Sequence, residues 1–372
     1  MNAVTVDRPS TRGVVNGLSV DVEAWFQVGA FESVIERDEW SCLDDRVERN
    51  VHEVLDLFDE ADAKATFFTL GWVAQRHGAL LREIAARGHE LASHGWDHRR
   101  VHRMEPGEFG ADIARARKAI EDAAGAQVIG YRAPSFSIDA RTPWAFAELA
   151  EQGYRYSSSV APVAHDHYGW AEAPRFAFKP LPWAELIEIP VTTALFAGKR
   201  LAAGGGGFFR VLPYGFSRWA IRQVNRREGR PAVFYFHPWE IDPGQPRVAG
   251  APLKSRLRHY AKLEQMAPKL RQLVREFQWG RMDVLAHREA LRLAQVAQAD
   301  AFARLQERRV HAGTRSSRAS RTRPRGSRRS SRIVPAACST ARPGCWPSNG
   351  APASAPWAWW RRRAGYLPAG FP

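Results

Sequence analysis

The tightest constraint in this chain is a repeated switch of hydrophobic period, from two residues to between three and four, that starts at Gly17. Leu18-Ser-Val-Asp-Val-Glu23 alternates, with Leu18, Val20 and Val22 on one face and Ser19, Asp21 and Glu23 on the other, as a strand requires. Val47, Val51, Val54, Leu55 and Phe58 then form one helical stripe. The rhythm repeats: a strand at Ala65–Leu70, a helix bearing Leu80, Leu81 and Ile84 that stops at Gly88, and a strand at Glu90–Ser93. A helix with Phe109, Ile113, Ala116 and Ile120 follows, then a strand at Val128–Tyr131 and a helix start at Thr142-Pro143. A late strand spans Pro231–His237, and helical patterning resumes through Leu270, Leu273, Val274 and Phe277 and again over Ala290–Leu305. Strands alternating with helices predict an α/β fold around a parallel sheet.

Charge narrows the function classes only once it is located. Of the net +15, twelve charges are arginines in residues 311–372, a stretch with no Lys, Asp or Glu, so residues 1–310 carry about +3. The folded part therefore offers no electrostatic case for nucleic acid or an acidic membrane surface. The Arg/Ser/Pro-rich tail has no core periodicity; it is expected to be disordered or the product of a wrong reading frame. Cys42, Cys338 and Cys345 make neither a disulfide framework nor a CxxC pair. The polar N-terminus, with Asp7, Arg8 and Arg12, lacks the apolar core of a secretory signal, and no apolar run reaches the length of a membrane span. On these features the protein is expected in the cytoplasm, touching the inner face of the membrane only through its substrate.

Several residues carry potential chemistry, and each has an ordinary reading beside the functional one. Asp21 and Glu23 share a strand face that is either solvated or turned into a barrel, where the end of a first strand is a catalytic position. Ser93-His-Gly-Trp-Asp-His98 puts two imidazoles four residues apart, which in a helical turn could share a metal, although such spacing is common by chance. His102 extends the spacing and is read as surface or outer support. His237 ends an apolar run and could be a satisfied core residue; Arg132, after the fourth strand, could be surface. Gly204–Gly207 lacks the spacing of a phosphate loop and reads as a turn.

The order of these elements is more specific than any one of them. Asp-x-Glu at the first strand, Ser-His-x-x-x-His at the third, Arg-x-Pro-x-Phe after the fourth and Tyr-Phe-His at a late strand resemble the successive motifs of the NodB-type polysaccharide deacetylase family. Ser19–Phe26, His165-Asp-His-Tyr-Gly169 and Phe236-His-Pro-Trp-Glu240 are further similar to the subgroup found with exosortase-linked exopolysaccharide gene clusters. The resemblance implies a distorted (β/α) barrel over residues 17–245. A flexible N-terminus (1–16) would precede it, with a C-terminal helical extension (246–310) packed on the barrel and the tail beyond it.

It also implies roles. Glu23, His94 and His98 resemble metal ligands suited to Zn²⁺, with Co²⁺, Ni²⁺ or Fe²⁺ as alternatives. Asp21 resembles the general base, Arg132 the group that orients and electrostatically holds it, and His237 the acid for the leaving amine. The backbone N–H of Phe136 would serve the oxyanion. Apart from the resemblance, Trp25, Phe26, Trp96 and Trp239 flank these motifs, either as faces suited to stacking on sugar rings or as plain packing. The chain departs from the family in using Glu23 where Asp is usual and in placing Val22 where an acidic doublet is common. Ser157-Ser-Ser159 also replaces the stretch that often holds a carboxylate for the acid histidine, leaving Glu188 and Asp166 as candidates. The expected function is removal of N-acetyl groups from an amino-sugar polysaccharide or lipid-linked oligosaccharide. The alternatives are another linear or cyclic amide hydrolase on the same barrel, or a catalytically inactive carbohydrate-binding protein.

Overall fold

The computed structural model describes residues 13–164 and 168–319, so His165, Asp166 and His167, three of the five residues in the His165–Gly169 stretch, lie outside the described residues, as does the tail beyond Ala319. The first strand, β1 (Val15–Val22), leads into α1 (Val47–Asp59), β2 (Thr66–Thr69), α2 (Gly71–Arg76) and α3 (Gly78–Ala86). Next come β3 (Glu90–Ser93), α4 (Pro106–Ala124), β4 (Gly130–Tyr131), α5 (Ala145–Glu151), β5 (Tyr156–Ser157) and β6 (Ile187–Glu188). The C-terminal half adds a hairpin of β7 (Thr193–Phe196) and β8 (Lys199–Ala202), then α6 (Gly206–Val211), α7 (Tyr214–Arg222) and β9 (Val233–Phe236). It ends with α8 (Leu253–Tyr260), α9 (Met266–Glu276), β10 (Gln278–Gly280) and α10 (Met282–Ala319). The helix expected at Thr142-Pro143 begins at Ala145, because the Thr142 hydroxyl is spent on Asp139 N–H and Ser137 C=O in the preceding turn.

The main sheet runs β10-β1-β2-β3-β4-β5-β6, with β9 also paired to β1, and every pairing is parallel. It curls into a half-barrel. On the open side the segment after β6 approaches β9: Thr192 N donates to Val233 O at 3.3 Å, and Val233 N to Thr192 Oγ1 at 2.6 Å.

Both faces of β1 are buried, which decides between the two readings of its polar side. Leu18, Val20 and Val22 pack with Val51, Val54, Leu55, Leu80, Leu81, Ile84 and Ile113 of the surrounding helices. Each such side chain contributes about 1.5–3 kcal/mol on burial. The other face turns inward. There Asp21 lies in register with Phe68, and Phe68 with Ala92, in one row across three strands.

The first turns of α10 plug the end of the sheet away from the strand C-termini. Met282, Leu285 and Ala286 join Phe68, Ala92, Tyr156 and Ile187 in a second buried cluster. Met282 N donates to Thr66 Oγ1 at 2.7 Å and Asp283 N to Glu90 Oε2 at 2.9 Å, so two free N–H groups of the helix start are satisfied by strand side chains. Because β10 pairs with β1 and α10 fills the floor, residues expected to pack on the barrel from outside are part of it. The described residues through Arg308 form one compact unit.

Candidate active site

Parallel strands deliver their C-terminal ends to one rim, and that rim is where the site forms. Asp21 is the penultimate residue of β1, and Glu23 follows that strand directly. His94 follows β3, Arg132 follows β4 and His237 follows β9. Five side chains from the ends of four strands, β1, β3, β4 and β9, are thus gathered by strand order alone.

Glu23, His94 and His98 are all buried, and one ligand atom from each lies within 4.8 Å of the others. Glu23 Oε2 sits 2.9 Å from His98 Nε2 and 4.0 Å from His94 Nε2, yet it makes no hydrogen bond. A buried carboxylate oxygen without a hydrogen-bond partner is costly, and two imidazole nitrogens converging on it without donor alignment fit a shared cation. A carboxylate with two imidazoles suits a divalent transition metal. His94 is set for this task. Its Nδ1 lies 2.8 Å from Arg132 O, and since a carbonyl can only accept, Nδ1 carries the proton and Nε2 keeps its lone pair. Burial lowers its pKa to about 4, which keeps the ring neutral.

The histidine pair does not ride on a helical turn as its spacing predicts. Residues 94–98 form a loop in which Gly95 and His98 both take positive φ, at 78° and 62°. Gly71 N and Trp72 N donate to Gly95 O and Trp96 O at 2.9 and 3.0 Å, and Asp112 Oδ2 accepts from Trp96 N at 3.1 Å. These bonds hold the loop against the left-handed preference cost of His98. His102 is away from the cluster, 3.2 Å from an Arg141 nitrogen.

Arg132 is fully buried. Its Nη1 donates to Asp21 Oδ1 at 2.7 Å and to Ser19 Oγ at 2.8 Å, while Nε and Nη2 bond Ser158 O and Oγ at 3.0 and 2.9 Å. Phe68 covers one face of the guanidinium at 4.1 Å. The Ser157–Ser159 run therefore serves Arg132: Ser158 holds the guanidinium, and Ser159 Oγ accepts from Ala133 N. Glu188 does not reach His237. Its Oε1 accepts from Ser159 N and Val160 N, both at 2.8 Å, and burial raises its pKa to about 7.

His237 meets a different carboxylate. Its Nδ1 is 3.4 Å from Glu240 Oε2, and its Nε2 is 3.6 Å from Glu23 Oε1. Burial alone would lower its pKa, but the Glu23 and Glu240 charges outweigh that and raise it to about 9. Glu240 was visible in the quoted Phe236–Glu240 stretch, but nothing in the sequence marked it as the partner of His237.

The remaining expected residues sit differently. Phe136 N donates to Ala133 O at 3.0 Å, so the N–H assigned to the oxyanion closes a turn instead. Both Ser135 and Phe136 have positive φ there. Trp25, Phe26 and Trp239 are buried, and Trp239 lies stacked between His237 and His259. Trp96 is half-buried under the Arg115 guanidinium, 3.4 Å from its ring centroid. Both faces of Trp239 are taken by protein and Trp25 and Phe26 are buried, so stacking on sugar does not fit these three rings, while Trp96 has one face under Arg115. Trp239 instead donates Nε1–H to Glu23 Oε1 at 3.2 Å.

Fold and site together define a half-barrel α/β protein with a carboxylate–imidazole cluster at the strand C-termini. Comparison with known proteins narrows this class. Residues 35–157 match the family described as polysaccharide deacetylase, and residues 158–287 match a domain of unknown function, DUF3473. A chitooligosaccharide deacetylase of Bradyrhizobium sp. (strain ANU 289) is 35% identical over 71 residues, 19% of this chain and 32% of that protein. The peptidoglycan-N-acetylglucosamine deacetylase PgdA of Listeria monocytogenes is 38% identical over 73 residues, 19% of this chain and 16% of that protein. The chain spans less than a third of either relative's length. In fold it is similar to the crystal structure of a putative polysaccharide deacetylase from Mycobacterium smegmatis, with a TM-score of 0.52 and 19% identity over 79% of this chain and 96% of that one. These matches make residues 35–157 similar to the polysaccharide deacetylase family and the fold similar to that of the Mycobacterium smegmatis protein.

Proposed function

We propose that this protein is a metal-dependent hydrolase that removes N-acetyl groups from an amino-sugar polysaccharide or lipid-linked oligosaccharide. The observation that carries this reading is the convergence, on one rim, of Glu23, His94 and His98 with an Arg132-held Asp21 on one side and His237 on the other. Glu23, His94 and His98 would hold a divalent metal, Zn²⁺ or one of Co²⁺, Ni²⁺ and Fe²⁺, whose Lewis acidity would polarise the acetamide carbonyl and acidify water.

The chain's own groups do the rest. Arg132 fixes Asp21 by a buried charged hydrogen bond, so the carboxylate is aimed before substrate arrives and can accept the proton of the attacking water. His237 presents Nε2 to the same space and delivers a proton to the departing amine, which otherwise leaves as a poor anion. A base and an acid together are more than a glycan-binding module needs. The likeness of the quoted stretches to the exosortase-linked subgroup supports a role in exopolysaccharide assembly, carried out from the cytoplasm and touching the inner face of the membrane through the substrate. Among the described residues no helix is long and apolar enough to cross a membrane.

Acetate release from N-acetylglucosamine oligomers by the metal-loaded protein, set against a cyclic imide and against chelator-treated protein, tests the reading. Chelator-sensitive release from the oligomer is expected. Turnover of the imide alone, or binding of glycan with no acetate released, would replace it with one of the alternatives.

A further inference from the structure

We propose that Glu240, clamped by Arg210, is the positioning residue for His237, so that the segment matching a domain of unknown function orients the acid half of the active site. The inference rests on the deacetylase reading and deepens it.

Glu240 lies three residues beyond His237 on the turn Pro238–Ile241, which folds its carboxylate back toward the ring. Its Oε2 accepts from His237 N at 3.0 Å and stands 3.4 Å from Nδ1. The opposite ring nitrogen, Nε2, faces Glu23. Glu240 thus acts on the edge of the ring that looks away from the candidate metal ligands, and fixes the edge that looks toward them.

The carboxylate is itself held. Arg210 Nε donates to Glu240 Oε1 at 3.0 Å, and both side chains are buried. The other Arg210 donors reach the carbonyls of Arg258, His259 and Ala261 at 3.2, 3.1 and 2.6 Å, around the end of α8. Such a pair is poor value for stability, since well-packed apolar residues in its place are often neutral or better. A directional role accounts for keeping it.

Two further features fix the geometry. A Cβ on Gly206 would collide with the Glu240 carboxylate, so the glycine run, read from sequence as a turn, also leaves this oxygen pair its room. The His237 ring stacks on Trp239 at 5.0 Å and 17°, and Trp239 on His259 at 4.1 Å and 14°. The ring plane is set by stacking and its rotation by Glu240. Among the described residues, Glu188 does not take this place, because it is engaged by Ser159 and Val160.

The test compares two substrates in the metal-loaded full chain. An N-acetylglucosamine oligomer has an amine leaving group that needs a proton, whereas 4-nitrophenyl acetate leaves as a stable phenolate. Glu240→Gln should lower kcat on the oligomer roughly 10–100-fold with KM little changed, as for other groups that orient a functional histidine, while aryl acetate turnover and metal content hold within about 2-fold by the same reasoning. Equal losses on both substrates, or an unchanged kcat on the oligomer, would overturn the proposal. The double variant Glu240→Met/Arg210→Met removes both charges and guards against misfolding: it should stay folded and lose oligomer turnover, and a folded, fully active double variant refutes the positioning role. Imidazole ¹⁵N shifts of His237 give a readout independent of turnover, with Nδ1 protonated in the parent and the proton redistributed in the double variant; identical shifts would overturn the proposal. Parent protein that releases no acetate but shows this ¹⁵N change would refute the deacetylase reading and leave the Glu240–His237 relationship standing.

Discussion

Arg132 and Asp21 form a buried ion pair at 2.7 Å in which the arginine is bound at both ends, to Asp21 and Ser19 on β1 and to Ser158 just past β5. The guanidinium therefore ties opposite parts of the sheet together while aiming the carboxylate. Arg132→Ala leaves Asp21 buried without its partner, and a loss of about 3–5 kcal/mol is expected in urea unfolding. Arg132→Lys keeps the charge but cannot span both partners with one point donor, so it should fold and turn over slowly. A wild-type unfolding midpoint for Arg132→Ala would show that the pair does not hold the sheet.

Asp21→Asn separates base from ligand. The amide preserves shape and can still face Arg132 through its oxygen, so metal content should stay at parent level while acetate release falls roughly 10²–10⁴-fold. Metal analysis beside turnover reads both. Near-normal turnover would pass the base role to another group.

His94→Ala and His98→Ala should lose metal and activity together, since each removes one of the three candidate ligands Glu23, His94 and His98. His94 carries a second expectation, because its Nδ1–H bond to Arg132 O fixes its tautomer. The variant His94→Gln, which can still bond that carbonyl, should remain folded yet bind metal weakly. Full metal occupancy in both alanine variants would dissolve the cluster assignment.

The structure explains which parts of this arrangement a sequence can show. The period switches marked β1, β2, β3, β4 and β9 and the helices α1, α3, α4, α5, α9 and α10, because burial on two sides of a parallel sheet writes itself into spacing; β5, β6 and β10, the β7–β8 hairpin and α2, α6, α7 and α8 left no such mark. Asp21, Glu23, His94, Arg132 and His237 were legible because each stands at a strand end, which chain order alone brings to one rim. The loop conformation at His98 was not, since a positive φ in a histidine is imposed by bonds from Gly71, Trp72 and Asp112, far away in sequence. Trp25 and Trp239 stayed open between sugar stacking and plain packing for a related reason: an aromatic beside such a motif looks the same in sequence whether it meets a sugar or another ring. Glu240 stood in plain view, but its direction depends on the turn after Pro238 and on Arg210, which lies on a different helix.

Glu90 gives a pH signature separate from the rim. Burial, reinforced by Asp283, raises its pKa from the usual 4.5 to about 8. The folded protein then holds a proton that the unfolded chain has released between those values, so its contribution is fully present below pH 4.5 and is lost as pH rises to about 8. Glu188 and Asp112, raised to about 7 and 6, act in the same direction, so the contrast with a variant is the clean measure. Glu90→Gln stays neutral throughout and can still bond Tyr156 and Asp283 N–H. Its melting temperature relative to the parent should climb from pH 5 to pH 8.5, and a flat difference would rule out the raised pKa.

The last expectation concerns where the folded unit ends. The compact unit closes at Arg308, and α10 contributes buried side chains only near its start: Met282, Leu285, Ala286 and Glu289, with Ala290 and Leu293 partly buried against the same cluster. Further along, Leu291, Val296 and Phe302 are 53%, 47% and 63% exposed, so the outer part of the helix adds little to the core. A chain ending at Arg308 should therefore keep its melting temperature and acetate release while losing the twelve arginines of residues 311–372 and most of its positive charge. A chain ending at Arg281 should fare differently. It would open the floor of the sheet, strip Thr66 and Glu90 of the N–H groups they accept from, and expose Phe68 and Tyr156 to water. Removing three well-buried side chains of this size costs several kcal/mol, on the order of a small domain's whole stability. Thermal unfolding of the two truncated chains decides the matter: loss of folding at the Arg308 end point would mean that the arginine-rich segment is structural, and survival at Arg281 would mean that the plug is not.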